Sequence, residues 1–371
     1  MTLTPELTID LAAIAANWRA LDRLSGTAET AAVVKADAYG CGIAPVGRAL
    51  AGAGARRFFV AVPAEGARLR AALGPGPEIY VLSGFPVAPA EAPPPPPPAH
   101  PEAGGAPPRA DADADARVFA EAALRPVLNA PEQVAAWAAR GPAALQLDSG
   151  MNRLGLEPSE LAALRAAGGP GPEIALVSSH LACADTPAHP LNAVQLASFR
   201  GMAAALGRPL SLAATGGILL GADYHFDLVR PGIGLYGGLP FAAAQPVVRL
   251  ALPILQVRDV APGEAVGYGA SWRAELPSRI ATLSGGYADG LHRALSGRAR
   301  GFLGGRACRF AGRVSMDLIG LDVTGVPAAR PGAMVEILGP AQGVDALADA
   351  AGTIGYEILT SLGARYRRRY L

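Results

Sequence analysis

Lysine is almost absent from this chain: its 32 basic residues are 31 arginines and Lys35. Arginine replaces lysine wherever a positive charge suffices. It cannot replace an amine that must attack a carbonyl, because guanidinium stays protonated and is not a nucleophile. Cysteine is also scarce. Cys41, Cys183 and Cys308 are far apart and odd in number, which excludes a disulfide framework and a CxxC metal site and fits a reducing compartment. Net charge is close to nil, at +1, so nothing marks a nucleic acid or a membrane surface as a partner. No charge-poor run approaches the roughly 20 apolar residues of a membrane span. The N-terminus has neither the basic start nor the apolar stretch of a signal peptide, so a cytoplasmic location is expected.

Hydrophobic residues make up 51% of the chain and charged ones 17%, enough to bury sizeable cores. A length of 371 residues suggests two domains. Short apolar runs recur at Ala31–Lys35, Phe58–Val62, Glu78–Leu82, Arg125–Leu128, Ala144–Asp148, Ile174–His180, Pro209–Ala213 and Asp227–Gly232. Most are separated by Ala/Leu/Arg-rich stretches at helical spacing, such as Pro158–Ala167 and Leu191–Leu206. A doubly wound open sheet also alternates in this way. The count of eight, with reactive residue types at the strand ends, favours a (β/α)8 TIM barrel over residues 1–237. A smaller all-β domain over 238–371 is expected to follow, because the helical period fades and short strands separated by Gly and Pro turns replace it. Near its end, Gly355–Arg369 reads as a helix whose arginines form a solvated last turn. The segment Leu3–Leu11 is a candidate to pair with the β domain. Between the third strand and its helix, residues 86–116 hold six consecutive prolines and an Asp-Ala alternation, which reads as a disordered or extended insert.

The neighbours of Lys35 favour amine chemistry. Ala31 to Val34 deliver the amine to a strand end, and Tyr39, Gly40 and Gly42 follow in a loop whose backbone can approach a ligand closely. An amine at a barrel mouth fits pyridoxal phosphate (PLP) held as an imine. Such a cofactor also needs hydroxyls and backbone N–H groups for its phosphate, a partner for its ring nitrogen and a flat neighbour. Thr215-Gly216-Gly217 and Arg230-Pro231-Gly232-Ile233, ending the seventh and eighth strands, have the residue types for the phosphate. Gly232 to Gly237 also matches G-x-G-x-x-G, but Gly238 and Pro240 follow, so no helix opens there and the dinucleotide reading fails.

At this point the chain resembles the alanine racemases over nearly its whole length, the proline-rich insert excepted. The resemblance rests on Val34-Lys35-Ala36-Asp37-Ala38-Tyr39-Gly40, Leu147-Asp148-Ser149-Gly150-Met151-Asn152-Arg153, Ser179-His180-Leu181-Ala182 and Arg230-Pro231-Gly232-Ile233. In the second half it rests on Gly267-Tyr268-Gly269-Ala270, Gly286-Tyr287-Ala288-Asp289-Gly290, Arg313-Val314-Ser315-Met316-Asp317 and Ile354-Gly355-Tyr356-Glu357. It implies interconversion of L- and D-alanine by two bases, supplying D-alanine for peptidoglycan, in a homodimer. Lys35 would be the Schiff-base lysine and one base, with Tyr268 of the partner subunit the other. Tyr39, Thr215, Gly232, Ile233 and Tyr356 would hold the phosphate, and Arg230 would face the pyridine nitrogen. His180 would lie near the ring. Arg153 would contact cofactor and substrate, while Met316, Asp317 and Tyr287 would seat and admit the substrate. No metal is implied.

Three departures stand out. Cys41 replaces a histidine, Ala214 an asparagine, and Gln146 a lysine that relatives often carry as a carbamate, so Arg153 needs another anion, for which chloride is a candidate. Racemisation needs an amine and a phenol, ordinarily near 10.4 and 10, to work near neutral pH, and nearby cations help both. Arg153, Arg230 and Arg293 are the candidate cations. Other readings are a broader amino-acid racemase, a non-catalytic PLP-binding barrel and a fold-related decarboxylase. Bulky Tyr287 and Tyr356 weigh against the first and the long second half against the second. The third lacks an acidic partner for the ring nitrogen.

Overall fold

The computed structural model describes residues 3–87, 112–168 and 171–371. The chain divides into two compact units. One comprises Ser25–Lys35 and Ala55–Arg230, the other Met1–Leu24, Ala36–Gly54 and Pro231–Leu371.

The first unit is a parallel barrel. Its strands are Glu29–Thr30 continued by Ala32–Val33, then Arg57–Val60, Glu78–Val81, Leu124–Leu128, Pro142–Gln146, Glu173–Ser178, Leu210–Ser211 and Leu228–Val229. Each pairs in parallel with the next, from Ala32↔Phe58 round to Ser178↔Ser211. Leu228↔Glu29 and an Ala214↔Arg230 bridge close the ring. The eight expected strands are these. They read as nearly unbroken apolar runs because side chains on both faces are buried: Phe58, Phe59, Val60, Ile79, Tyr80 and Val81 are at most 1% exposed. Proline opens the helices Pro63–Leu73, Pro131–Trp137 and Pro158–Ala167, where its missing N–H costs nothing.

Only part of the 86–116 insert lies among the described residues, and there the expectation is corrected. Ala112–Glu121 is a helix, so the Asp-Ala alternation belongs to an alanine-rich helical segment with strong intrinsic propensity. Residues 88–111 lie outside the described residues.

The second unit is built on the 13-residue strand Val248–Val260. Its first half pairs with Glu6–Ile9 and Met334–Leu338, its second half with Ser278–Ser284. Register shifts at Leu250/Ala251 and Ile254/Gln256 bend it enough to serve both. Glu6–Ile9 therefore does join this sheet.

The C-terminus is corrected. The helix spans Gly355–Ser361 and stops where the Gly363 N–H turns to the Asp289 carbonyl, at 3.1 Å. Arg367–Tyr370 is a strand, parallel to Glu6–Ile9, so its arginines are ladder residues and not a solvated helical turn. Ala265–Val266 is separated from Trp272–Arg273 by a turn at Tyr268–Ala270, and the strand that begins at Arg306 ends at Arg309.

Candidate active site

Lys35 leaves its strand into an unusual turn. Ala36, Asp37, Ala38 and Tyr39 all have φ between 53° and 55°, a full left-handed turn without glycine. Left-handed geometry costs roughly 1–2 kcal/mol per residue, and such runs persist only where the surroundings over-determine them. Several contacts hold this one. Gly40 N–H donates to the Ala36 carbonyl at 2.8 Å, Gly42 N–H to the Asp37 carbonyl at 2.8 Å, and Ile43 N–H to Asp37 Oδ1 at 3.1 Å. Arg368 donates to the Gly40 carbonyl. A side chain at Gly40 would bring its Cβ within 2.3 Å of the Leu359 carbonyl oxygen, so glycine is required there.

In the barrel unit the strand ends gather positive charge around Lys35. Its own burial, then Arg153, pull the ammonium below its ordinary range, and Glu65 opposes them. Arg230 is 5% exposed. It donates to the carbonyls of Ser211 at 2.9 Å and Ser179 at 2.5 Å and to the Ser211 hydroxyl, with no carboxylate partner among the described residues. Burial lowers its guanidinium to about 10. His180 is pushed down to about 3 by burial and by Arg230, Arg153 and Lys35, so its imidazole is neutral. Lys35, Arg153, His180 and Arg230 thus form one interacting set. Thr215 is buried at the start of the short helix Thr215–Leu219, where two glycines leave backbone N–H groups close to any ligand. At Gly216 an added Cβ would press on Ala184 and Asp185 at 2.9 Å. The Gln146 Oε1 accepts a hydrogen bond from Ser178 at 2.8 Å.

The second unit carries two further groups. Tyr39 stacks on Tyr236 at 4.5 Å and meets Tyr356 at 6.0 Å. Burial, then Tyr356, keep its phenol well above the ordinary range, so it remains a proton donor. Gly232 precedes the short turn Ile233–Tyr236, which Ile233 opens and Tyr236 closes. Cys41 is buried, and its thiol is pushed up to about 12 by that burial, so it is inert packing in place of the expected histidine.

The other group is a pair of linked loops. Tyr287 N–H donates to the Ser315 carbonyl at 3.0 Å and Ala288 N–H to the Met316 carbonyl at 3.0 Å. Arg365 locks both loops, with a fork to Asp289 at 2.6 and 2.7 Å and a bond to Asp317 at 2.7 Å. This brings Tyr287, Met316 and Asp317 together. The sequence reading missed Arg365 and Asp289: the first sat inside a run taken for solvent, though Asp289 lies in a quoted block. Tyr268 is 73% exposed in the turn joining Ala265–Val266 to Trp272–Arg273, with Gly267 and Gly269 at positive φ and the Arg313 guanidinium beneath Gly269. Among the described residues no group of His, Cys, Asp and Glu is arranged to hold a metal ion.

A lone amine of lowered basicity at a barrel mouth, a protonated phenol four residues on and a buried guanidinium with no carboxylate partner among the described residues fit the needs of PLP. Barrel, site and appended sheets define the class of barrel-type PLP enzymes. Residues 9–94 and 107–240 match the family model described as alanine racemase, N-terminal domain, and 247–370 that of the C-terminal domain. The chain is 55% identical to the alanine racemase of Dinoroseobacter shibae, over 99% of this chain and 98% of that protein. It is 54% identical to that of Cereibacter sphaeroides with the same coverage. Among solved structures, it is similar to the alanine racemase of Bartonella henselae with covalently bound pyridoxal phosphate, at TM-score 0.89 and 36% identity over 100% of both chains. The biosynthetic alanine racemase of Pseudomonas aeruginosa gives 0.86 and 36%, also over 100% of both. The chain belongs to the alanine racemase family.

Proposed function

We infer that this protein interconverts L- and D-alanine with PLP as cofactor, supplying D-alanine for peptidoglycan. The observation that carries the reading is the single lysine, its amine lowered by burial and Arg153, at the mouth of the barrel of a racemase-family chain. When bound, the cofactor withdraws electrons from the amino-acid α-carbon, which makes its proton removable near neutral pH.

The chain's own residues supply the rest. Lys35 holds the cofactor and moves the α-proton on one face. Its lowered basicity makes the neutral amine available as a base. Tyr268 of the partner subunit serves the opposite face, and the exposed turn that carries it suits a group delivered to a second copy in a homodimer. Tyr39, Thr215, Gly232, Ile233 and Tyr356 bind the phosphate. Arg230 would face the pyridine nitrogen and, as a buried cation, would disfavour a proton there. Neutral His180 is a hydrogen-bonding group near the ring and not an acid. Arg153 orients substrate and cofactor, and its missing carbamate partner leaves room for a small anion such as chloride beside Gln146. Met316, Asp317 and Tyr287 seat the carboxylate and narrow the entry. The functional division is a barrel domain over 1–237 and a β domain over 238–371, and the location is cytoplasmic. α-Proton exchange in deuterated water across a panel of L-amino acids tests the reading. Exchange and inversion confined to alanine are expected, and exchange without inversion would overturn it.

A further inference from the structure

His180 lies past the end of its strand. The strand spans Glu173–Ser178, and the Ser179 N–H still reaches the Ser211 carbonyl at 3.0 Å. Beyond that point the backbone is held from another element, the helix Leu191–Ala203. Gln195 on this helix is fully buried, and its side-chain amide is used at both ends. Its Nε2 donates to the His180 carbonyl at 2.9 Å, and its Oε1 accepts from the Ala182 N–H at 2.8 Å. A residue of a parallel neighbouring strand would bond the same two groups, flanking Leu181. The amide therefore extends the ladder past the strand end, to the residue that stands nearest the proposed cofactor ring.

Further contacts tie Gln195 to the neighbouring strand ends. Its Nε2 also donates to the Ser149 hydroxyl at 3.4 Å, and that hydroxyl lies 2.7 Å from the hydroxyl of Ser179. The Ser179 carbonyl is one of those that accept from Arg230. Ser149, Ser179 and Arg230 are all buried. The helix is itself anchored. Asn192, in its first turn, donates to the carbonyls of Cys183 at 3.3 Å and Thr186 at 3.1 Å. A side chain bonded at both ends and carried by a packed helix holds what it touches within a narrow range. The imidazole of His180 is neutral, so its effect depends on where the ring points and not on charge.

We propose, on the strength of the functional reading above, that Gln195 is a positioning residue for the cofactor: it fixes the backbone from which His180 projects, and with it the imidazole beside the PLP ring. Without the amide, a buried carbonyl and a buried N–H lose their partners, and the segment turns to find others. Lys35 is carried by a different strand, so the cofactor still binds while its neighbour is displaced.

The test compares the PLP-loaded parent with three variants by alanine turnover, melting temperature and visible circular dichroism of the bound cofactor. Gln195→Met keeps the length of the side chain and removes the amide. It should load with PLP, lose about tenfold in kcat and change the dichroic band. Phe199, one turn further along the same helix, is equally buried and meets Phe226 edge to face at 5.2 Å. Phe199→Leu should lower the melting temperature and leave kcat and the band as in the parent. Gln195→Glu keeps the shape and the bond to Ala182, and regains a donor for the His180 carbonyl only when its carboxyl is protonated. Its band should approach the parent's as pH falls. The inference is overturned if Gln195→Met keeps kcat within twofold and the parent's band, or if Phe199→Leu loses both to the same extent. It is also overturned if Gln195→Glu differs from the parent equally at every pH. A parent that binds no PLP would overturn the functional reading and this role with it, a failure visible before any variant is made.

Discussion

Replacing Tyr39 by phenylalanine isolates one atom of the proposed phosphate site. The ring is fixed by stacking on Tyr236 at 4.5 Å and by Tyr356 at 6.0 Å, and phenylalanine preserves both contacts. Tyr39 is 5% exposed, and its burial keeps the phenol protonated far above neutral pH, so in the parent it offers a donor at every working pH. Its hydroxyl makes no hydrogen bond within the described residues, so the substitution breaks no internal bond and the melting temperature should stay within a degree or so. A hydrogen bond to a charged group contributes about 1.5–3 kcal/mol. Since each ~1.4 kcal/mol is a factor of ten, the variant should hold PLP roughly 10- to 150-fold more weakly. Apo-protein titrated with PLP and followed by visible absorbance gives the affinity directly. Turnover at saturating cofactor should remain close to the parent. Affinity within twofold of the parent would refute the assignment of the Tyr39 hydroxyl to the phosphate, and a large loss of thermal stability would refute the claim that the hydroxyl has no internal role.

Other substitutions probe other parts. Tyr268→Phe should bind PLP normally and lose activity by more than a hundredfold, unequally for the two enantiomers. Equal and mild losses would contradict a base on each face. Gly40→Ala combines a positive φ of 75° with a Cβ placed 2.3 Å from the Leu359 carbonyl oxygen. It should lower the melting temperature and cofactor retention together, because the helix carrying Tyr356 must shift; an unchanged holoenzyme would show that the turn is slack. His180 has a folded value of about 3, below the ordinary 6.5 of the unfolded chain, so it contributes a loss of stability as pH falls from about 6.5 towards 3. Between pH 7 and 5 this amounts to about 1–2 kcal/mol. Chemical unfolding of His180→Gln over that interval should therefore show a smaller decline than the parent, and parallel declines would count against the neutral imidazole.

The barrel was legible because parallel strands buried on both faces leave apolar runs, and eight of them recur up to Val229. The proposed site positions were marked in a different way, through residue types that physics does not interchange: one amine among arginines, and blocks of glycine, tyrosine and arginine that the family shares. What stayed hidden depends on partners distant in sequence. Arg367–Tyr370 looked helical because its strand partner, Glu6–Ile9, lies at the other end of the chain. Arg365 looked solvated because its anchor, Asp289, is 76 residues away. The left-handed turn after Lys35 also leaves no local mark, since alanine, aspartate and alanine ordinarily favour right-handed helix. Its conformation is imposed by contacts such as those of Gly40 with Leu359 and Arg368.

The account turns on Lys35 as the covalent seat of the cofactor. Borohydride reduction of the PLP-loaded protein, followed by proteolysis and mass spectrometry, tests this without relying on turnover. Lys35 is the sole lysine, so the only competing primary amine is the N-terminus. One phosphopyridoxyl group per chain on the peptide containing Lys35 is the predicted result. Stoichiometric label at the N-terminus, or none at all on protein that racemises alanine, would contradict it.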